Sequence, residues 1–331
     1  MNRFLKRAWA EIDLDALEHN YNEIKKLAKG KDILAVVKAN AYGHDDKAVC
    51  LKLQELGVKY YGVSNLWEGE KLRQHGITGT ILTFGYTDED YFDELLEYGI
   101  TQTAGSVQYA KQLSDYAVSK GVKLPVHIKV NTGMTRVGID SQQEMLDIIA
   151  MPGLDCKAAY THFAAADPSD VEYTDRQQEK LMKIAKDKGL LIHSQNSGGI
   201  IYHGDFGGDI VRAGVILYGH YPNYPLEVPF DMKSVMTVKS VVSQLKTIPA
   251  GTQISYGRTY TAEKEMTVAV IPIGYADGYF RDFSSKGKML INGVLCNVVG
   301  RVCMDQTIVD VSNVPDIKTG DIVYVYSDKC R

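Results

Sequence analysis

A lysine at the end of an apolar, β-branched run is the residue in this sequence with the clearest chemical potential. The run Ile33–Val37 predicts a buried strand, and Lys38 follows it directly. A lysine that emerges from apolar surroundings is partly desolvated, which disfavours its charged form and makes the amine a nucleophile. The natural use of such an amine is a Schiff base with a carbonyl compound. From this context alone, a surface lysine at a strand end is an equally good interpretation.

Two more cations and a histidine follow later strand-like runs. Lys129 and Arg136 lie at and after the run Pro125–Val130, where they would form an anion site or a solvated charge pair. His162 follows the run Cys156–Thr161. A lone histidine is more often a packed core residue than a catalytic one.

Small polar residues and glycines come after the last two strand candidates. Asn196 and Ser197 precede Gly198 and Gly199, a composition that suits phosphate because backbone N–H groups and hydroxyls donate. An ordinary Gly-rich turn is the alternative. Gly214 would let the backbone approach a phosphate closely.

These residues are spaced by an alternation of strand-like and helix-like segments, with helical patterns such as Ala110–Lys120 and Thr174–Lys188. Eight strand candidates predict a (β/α)8 barrel of the TIM type, whose C-terminal strand ends carry the chemistry. A doubly wound sheet is the alternative, but no Gly-x-Gly-x-x-Gly follows the first strand. The candidates are Ile33–Val37, Tyr60–Ser64, Thr80–Phe84, Thr101–Thr103, Pro125–Val130, Cys156–Thr161, Leu191–Gln195 and Ile210–Arg212.

The pattern changes after about Pro229 to short β-branched segments separated by Gly or Pro turns. We therefore predict a barrel over residues 1–232, whose first short strand, Trp9–Ile12, can pair with the second domain. Residues 233–331 are predicted to form a smaller, mainly β C-terminal domain. Its strand-like segments include Ser234–Thr247, Met266–Ile273, Val294–Val302 and Ile322–Tyr326.

Composition excludes several function classes. The net charge of −4 over 331 residues does not suggest a nucleic-acid or membrane-surface partner. No apolar run approaches the roughly 20 residues that a membrane span needs, and the polar N-terminus does not resemble a signal peptide. Five cysteines without a tight pair predict neither a disulfide framework nor a metal site, and they favour the cytoplasm.

The ten residues Ala35–His44, AVVKANAYGH, resemble the pyridoxal-phosphate lysine motif of the alanine racemase family, fold-type III enzymes with two domains. The resemblance extends over nearly all of residues 8–325, with several motifs in the family's order. It implies pyridoxal 5'-phosphate as cofactor. The residues that it assigns to the cofactor are Lys38, Tyr42, His162, Asn196, Ser197, Arg212 and Gly214.

Arg212 resembles the family arginine that faces the pyridine nitrogen. An arginine cannot accept a proton at working pH, so it donates a hydrogen bond to an unprotonated nitrogen. The ring is then a weaker electron sink, which favours quick return of a proton to Cα. A racemase needs that behaviour.

A second base should serve the opposite face of Cα. The segment Ile254–Thr259 resembles the family segment whose tyrosine has this role, which implies Lys38 and Tyr256 as the catalytic pair. Without the motif, Tyr256 would be interpreted as a turn aromatic. The resemblance implies that His162, held in turn by Arg212, tunes this phenol. It also implies a homodimer with shared active sites, although closure within one chain stays open.

The remaining assignments concern the amino-acid substrate. The resemblance implies that Arg136 and the backbone at Met304 contact it, and that Lys129, Tyr275 and Asp305 support the site. In some members the lysine at the matching position is carbamylated, so the resemblance leaves Lys129 open to the same modification. The sequence departs from the family pattern at Asn131 for an aspartate, at Gly198 and Gly199 for alanines, at Ala213 for a proline, and in its end at Arg331, where members usually run on to a further tyrosine near the substrate.

The resulting prediction is an alanine racemase that supplies D-alanine for peptidoglycan. A serine racemase of the same family is the close alternative. A non-catalytic pyridoxal-phosphate carrier would lack the β domain and the Tyr256 segment. A decarboxylase of the same fold type would be expected to place a carboxylate, not Arg212, at the ring nitrogen.

Overall fold

The structure, a computed structural model, describes residues 6–222 and 228–328. The chain divides into two compact units. One contains the described residues up to Asp13 together with those from Met236 onward, and the other is Leu14–Val235. The short first strand, β1 (Ala8–Ile12), therefore belongs with the C-terminal strands, and it pairs with the strand that begins at Met236.

The larger unit is built on eight parallel strands in the described part of the chain. The first seven strands pair in chain order, each with the next, and the first of them also pairs with the eighth, with Leu34 opposite both Tyr60 and Arg212. The strands are β2 (Asp32–Val36), β3 (Tyr60–Val63), β4 (Thr80–Thr83), β5 (Ile100–Ala104), β6 (Leu124–Lys129), β7 (Leu154–Tyr160), β8 (Leu191–His193) and β9 (Ile210–Ala213).

Backbone hydrogen bonds join the last two strands and nearly close the barrel. The Asp209 N–H donates to the Ile192 carbonyl at 2.8 Å, and the Arg212 N–H donates to the Gln195 carbonyl at 2.9 Å. The predicted (β/α)8 architecture is confirmed. The strand predicted as Leu191–Gln195 ends two residues early, at His193.

Helices fill the connections between the strands. Several begin at a residue whose side chain caps the free N–H groups of the first turn, such as Ser141, which forms a capping box with Glu144. The helices are α1 (Leu14–Leu27), α2 (Lys38–Gly43), α3 (Asp46–Glu55), α4 (Leu66–Gln74), α5 (Phe92–Glu97), α6 (Val107–Ser119), α7 (Gln142–Ile149), α8 (Val171–Ala185) and α9 (Ser197–Tyr202).

Apolar side chains fill the barrel interior beneath its C-terminal end. Leu34 and Leu82 are fully buried there, and Phe84 packs against this cluster. A Cβ at Gly62 would lie 2.6 Å from the Phe84 ring and 2.8 Å from Leu34 Cδ2. Glycine at this point of β3 therefore makes room for the aromatic ring.

The smaller unit is an antiparallel β structure. Its strands after β1 are β10 (Met236–Val241), β11 (Gln244–Ile248), β12 (Gln253–Ile254), β13 (Tyr260–Thr261), β14 (Met266–Ile271), β15 (Lys288–Ile291), β16 (Val294–Asn297), β17 (Thr307–Asp310) and β18 (Ile322–Tyr326). Its sheets have the strand orders β1-β10-β18-β15-β16, β11-β14-β17 and β12-β13.

The segment predicted as one strand, Ser234–Thr247, is divided between two sheets. The Val242 N–H donates to the Asp321 carbonyl, whereas the next N–H, of Ser243, donates to the Val270 carbonyl. The chain passes from one sheet to the other between these residues. No helix among residues 6–222 and 228–328 is both long and apolar enough to cross a membrane.

Candidate active site

A cavity of about 280 Å³ lies at the C-terminal end of the barrel strands. Nine of the residues predicted for the site line it, and each follows or ends a strand of the barrel. None of the lining residues, all in the described part of the chain, is an aspartate or a glutamate. The nine predicted residues are Lys38, Tyr42, Lys129, Arg136, His162, Asn196, Ser197, Arg212 and Gly214.

The backbone after Lys38 forms one turn of left-handed helix, which the sequence did not predict. Ala39, Asn40, Ala41 and Tyr42 have φ of 53–56° and ψ of 35–51°, close to the left-handed values of about 57° and 47°. Such a conformation costs roughly 1–2 kcal/mol for each residue that carries a Cβ. Neighbouring groups hold the turn, because the Ala39 N–H donates to Glu68 Oε1 and the Asp46 N–H donates to Asn40 Oδ1.

The turn brings Tyr42 to the loops that follow the last two strands. A Cβ at Gly214 would lie 3.2 Å from Tyr42 Oη and 3.6 Å from Ser197 Oγ, so these three residues surround a space that a side chain would fill. The Gly214 N–H donates to Ser197 Oγ at 3.1 Å. Burial raises the pKa of Tyr42, so its hydroxyl stays protonated and can donate.

Arg212 is buried at the end of β9, and carbonyl oxygens and one imidazole fix its guanidinium. Its Nη1 donates to His193 Nδ1 at 3.1 Å and to the His193 carbonyl at 2.9 Å. Its Nη2 donates to the carbonyls of Thr161 at 2.6 Å and Ser194 at 2.9 Å. Within the described part of the chain, the one remaining donor, Nε–H, has no hydrogen-bond partner. The expected contact with His162 is wrong, since the Arg212 donors go to His193 and to carbonyls instead.

His193 and His127 form a buried pair below the cavity, which sequence reasoning missed. Their Nε2 and Nδ1 atoms lie 3.1 Å apart. Burial and the Arg212 charge lower the pKa of both, that of His127 to about 4. His127 lies in β6 and His193 ends β8, and in the sequence nothing distinguishes either of them from an ordinary strand residue.

Lys129 is a buried amine with few groups nearby that would stabilise its positive charge. Its Nζ donates to the Val130 carbonyl at 3.1 Å and lies 5.1 Å from the centre of the Tyr160 ring. Burial, with smaller contributions from the Arg212 and Arg136 charges, lowers the pKa of Lys129 to about 7. Arg136 itself is exposed at the rim of the cavity.

His162 lies between the cations and the polar loop after β8. Its Nε2 accepts from Asn196 Nδ2 at 3.4 Å. Burial and the positive charges of Arg212, Lys129, Arg136 and Lys38 lower the pKa of His162 to about 3, so the ring is neutral. Asn196 also caps α9, because its Oδ1 accepts from the Gly199 N–H.

The other predicted residues belong to the smaller unit. Tyr256 is 69% exposed and begins a short turn after Ser255, whose Oγ donates to the Arg301 carbonyl at 2.6 Å. Tyr256, Met304 and Asp305 line a common surface hollow of about 490 Å³. Within its own unit, Tyr256 therefore presents its ring to solvent.

Met304 and its neighbours are fixed by backbone hydrogen bonds. The N–H groups of Tyr275 and Ala276 donate to the carbonyls of Cys303 and Met304 at 3.1 and 2.9 Å. The Met304 N–H has no hydrogen-bond partner among the described residues. Arg7 anchors this surface through its ion pair with Asp277 at 2.6 Å and through the Asp305 carbonyl at 3.3 Å.

Comparison with known families decides what this arrangement is. Residues 12–222 match the family model "Alanine racemase, N-terminal domain", and residues 235–331 match "Alanine racemase, C-terminal domain". The chain belongs to the alanine racemase family. This membership confirms the resemblance stated above and the prediction of an isomerase of the alanine racemase type that acts on amino acids.

Individual alanine racemases are similar over nearly the full chain. The enzyme of Clostridium perfringens strain SM101 is 40% identical, covering 99% of this chain and 88% of the relative. A solved alanine racemase of Clostridium difficile 630 has a TM-score of 0.93 at 39% identity, over 98% of this chain and 88% of the other. That of Bartonella henselae, with covalently bound pyridoxal phosphate, has a TM-score of 0.87 at 28% identity, over 98% and 91%.

Proposed function

We propose that this chain interconverts L- and D-alanine with pyridoxal 5'-phosphate attached to Lys38, and that it supplies D-alanine for peptidoglycan. The observation that carries the proposal is the cavity at the barrel end. It combines a lysine, a polar cradle and a buried arginine with a free donor, and none of its lining residues in the described part of the chain carries a carboxylate. This set of donors matches an anionic coenzyme with an aldehyde at one end and a phosphate at the other.

The residues present fit the coenzyme group by group. Tyr42, Ser197 and Gly214 surround a space suited to the phosphate, because two hydroxyls and a glycine meet there without a side chain between them. The free Nε–H of Arg212 is the donor for the pyridine nitrogen. Arg136 and Lys129 supply positive charge for the phenolic oxygen and the substrate carboxylate.

When bound, pyridoxal phosphate withdraws electrons from the substrate Cα, which makes its proton acidic. The chain's own groups then handle that proton. Lys38 Nζ holds and returns it on one face, and Tyr256 Oη does so on the other. Arg212 limits the electron withdrawal because it offers a hydrogen bond and no proton to the nitrogen. The Met304 N–H and Arg136 hold the substrate carboxylate, while Tyr275 and Asp305 support this surface.

The attachment test is borohydride reduction of the purified protein followed by peptide mapping. The expected result is a coenzyme adduct on Lys38, loss of the visible coenzyme absorbance, and D-alanine formation from L-alanine by the unreduced enzyme. Lys38→Ala should lose the visible absorbance. An adduct on another lysine, carbon dioxide release in place of racemization, or a clear preference for L-serine over L-alanine would contradict the proposal.

We further propose a homodimer in which Tyr256 of one subunit serves Lys38 of the other. The support is the exposed position of Tyr256 and the family resemblance. Mixing inactive Lys38→Ala and Tyr256→Phe subunits, with exchange of subunits, would then give mixed dimers with one intact site. Random pairing should restore up to about a quarter of wild-type activity. No recovery, despite mixed dimers detected by native mass spectrometry, would favour sites closed within one chain.

The expected location is the cytoplasm. The support is that the cysteines in the described part of the chain, Cys50, Cys156, Cys296 and Cys303, all carry free thiols, as a reducing compartment allows.

A further inference from the structure

His44 ends the segment that contains Lys38, and the mechanism above gives it no role. The ring is 2% exposed. Its Nδ1 lies 3.1 Å from the Ala41 carbonyl and 3.0 Å from the Tyr42 carbonyl. Carbonyl oxygens only accept, so Nδ1 carries the proton and donates to both. The two acceptors are the last residues of the left-handed turn.

The same ring packs against the segment that follows Gly214. It lies 4.7 Å from the Tyr218 ring, whose hydroxyl donates to the Val36 carbonyl at 2.9 Å. The Tyr42 ring lies 5.1 Å from Tyr218 on the same side of the barrel. His44 therefore joins the end of β2, the left-handed turn and the segment after β9.

The other ring nitrogen takes no part in this arrangement. His44 Nε2 is buried and has no hydrogen-bond partner among the described residues. Burial, together with the nearby His220, lowers the pKa of His44, so the ring stays neutral. Among the described residues, the only hydrogen bonds of the His44 side chain are thus those that its δ nitrogen donates.

We propose that His44 is a positioning residue for the phosphate end of the coenzyme. By holding the carbonyls of Ala41 and Tyr42, it fixes the strained turn and so directs Tyr42 Oη towards Ser197 and Gly214. This inference rests on the proposed function, which places the phosphate at that cradle.

Two substitutions of nearly equal shape separate the donor from the packing. His44→Asn places an amide N–H close to the position of Nδ1, whereas His44→Leu has the same branching without a donor. Both lose the contact of the ring with Tyr218. Any difference between these two variants therefore reports the hydrogen bonds to the turn.

The experiment measures coenzyme binding to the full chain after hydroxylamine has removed the bound coenzyme. Pyridoxal phosphate is titrated by its absorbance, and pyridoxal serves as the probe without a phosphate. His44→Leu is expected to bind pyridoxal phosphate about tenfold more weakly than His44→Asn, since the Tyr42 carbonyl loses its donor and the Ala41 carbonyl keeps only the His44 backbone N–H. The two variants should bind pyridoxal equally.

A double-mutant comparison tests the path through Tyr42. In a Tyr42→Phe background, the difference between the Leu and Asn variants should shrink to less than about threefold. An undiminished difference, an equal loss with pyridoxal, or no difference at all would overturn the inference. If wild-type protein binds no pyridoxal phosphate at Lys38, the proposed function fails first. Should His44→Leu not fold, His44→Gln, whose donor lies near the ε position, takes its place.

Discussion

Nη1 of Arg212 lies 3.1 Å from Nδ1 of His193, and this contact sets the protonation of a buried chain of polar groups. A guanidinium only donates, so His193 accepts at Nδ1 and carries its proton on Nε2. That proton is donated to His127 Nδ1, 3.1 Å away. If either ring were protonated, a second positive charge would lie near Arg212, and no described residue that lines the cavity carries a carboxylate to neutralise it.

The neutral histidine pair predicts a loss of stability in mild acid. The pKa of His127 is about 4 in the folded chain against 6.5 for a free histidine. Below pH 6.5 the unfolded chain binds a proton at His127 that the folded chain excludes. The contribution of His127 to the free energy of unfolding is therefore complete above pH 6.5 and is lost as the pH falls towards 4. For His127 alone, the free energy of unfolding should fall by about 2 kcal/mol between about pH 7 and pH 5.

His127→Asn provides the matched variant, because its Oδ1 can still accept from His193 Nε2. Urea unfolding of both proteins across that pH range should show a smaller acid loss in the variant by about 2 kcal/mol. Parallel pH dependence in the two proteins would show that His127 does not exclude the proton.

Removal of the Tyr256 phenol should affect the two directions of the reaction unequally. If Tyr256 serves L-alanine and Lys38 serves D-alanine, Tyr256→Phe keeps the coenzyme absorbance and loses proton exchange from the L-enantiomer. Exchange of the D-alanine Cα proton with deuterated solvent should persist, as followed by proton NMR of each enantiomer. An equal loss for both enantiomers would argue against two separate bases.

Lys129 should react with carbon dioxide. With a pKa of about 7, a large share of this amine is neutral near neutral pH, and only the neutral form attacks carbon dioxide to give a carbamate and a proton. The carbamate on Lys129 would add a negative charge to the cavity that Arg136 and Arg212 also line. Protein in 13C-bicarbonate should show a carbamate resonance that Lys129→Ala lacks and that Lys246→Ala, a substitution on the β unit, retains. A spectrum unchanged in Lys129→Ala would contradict this.

Glycine at position 39 should stabilise the chain. Ala39 is exposed at φ 53°, so Ala39→Gly removes steric strain without loss of packing. The expected gain in the free energy of unfolding is about 0.5–1 kcal/mol, once the entropy cost of ordering a glycine is subtracted from the strain that is relieved. Ala48→Gly, in the right-handed helix α3, should cost about 1 kcal/mol. Losses of equal size at both positions would mean that the turn is not strained.

The barrel could be predicted because its strands are buried on both sides and read as short apolar runs. Leu34 and Val36, for example, are both buried although they share one strand with the equally buried Ile33 and Ala35. Lys38, His162 and Arg212 could then be placed at one end of the barrel, because the C-terminal ends of its parallel strands all lie on the same side. Strand limits were less certain, since Val242 and Ser243 turn from one sheet to another without a Gly or Pro signal.

Two parts of the site were beyond sequence reasoning. The left-handed turn involves two alanines and a tyrosine, which have no preference for that conformation, and only Asn40 is a residue that adopts it readily. The Arg212 partner was also misplaced. His193 and His127 are far apart in the sequence, and only the register of β6, β7 and β8 brings their rings together.

The left-handed turn at residues 39–42 has a consequence for chemical synthesis of the chain with D-amino acids. Its backbone angles are those that mirror-image residues adopt without steric penalty. A chemically synthesised chain with D-alanine at positions 39 and 41 would be relieved of strain there. The chain belongs to a family that forms D-alanine, and directly after Lys38 it contains four residues whose backbone angles D-alanine would adopt without strain.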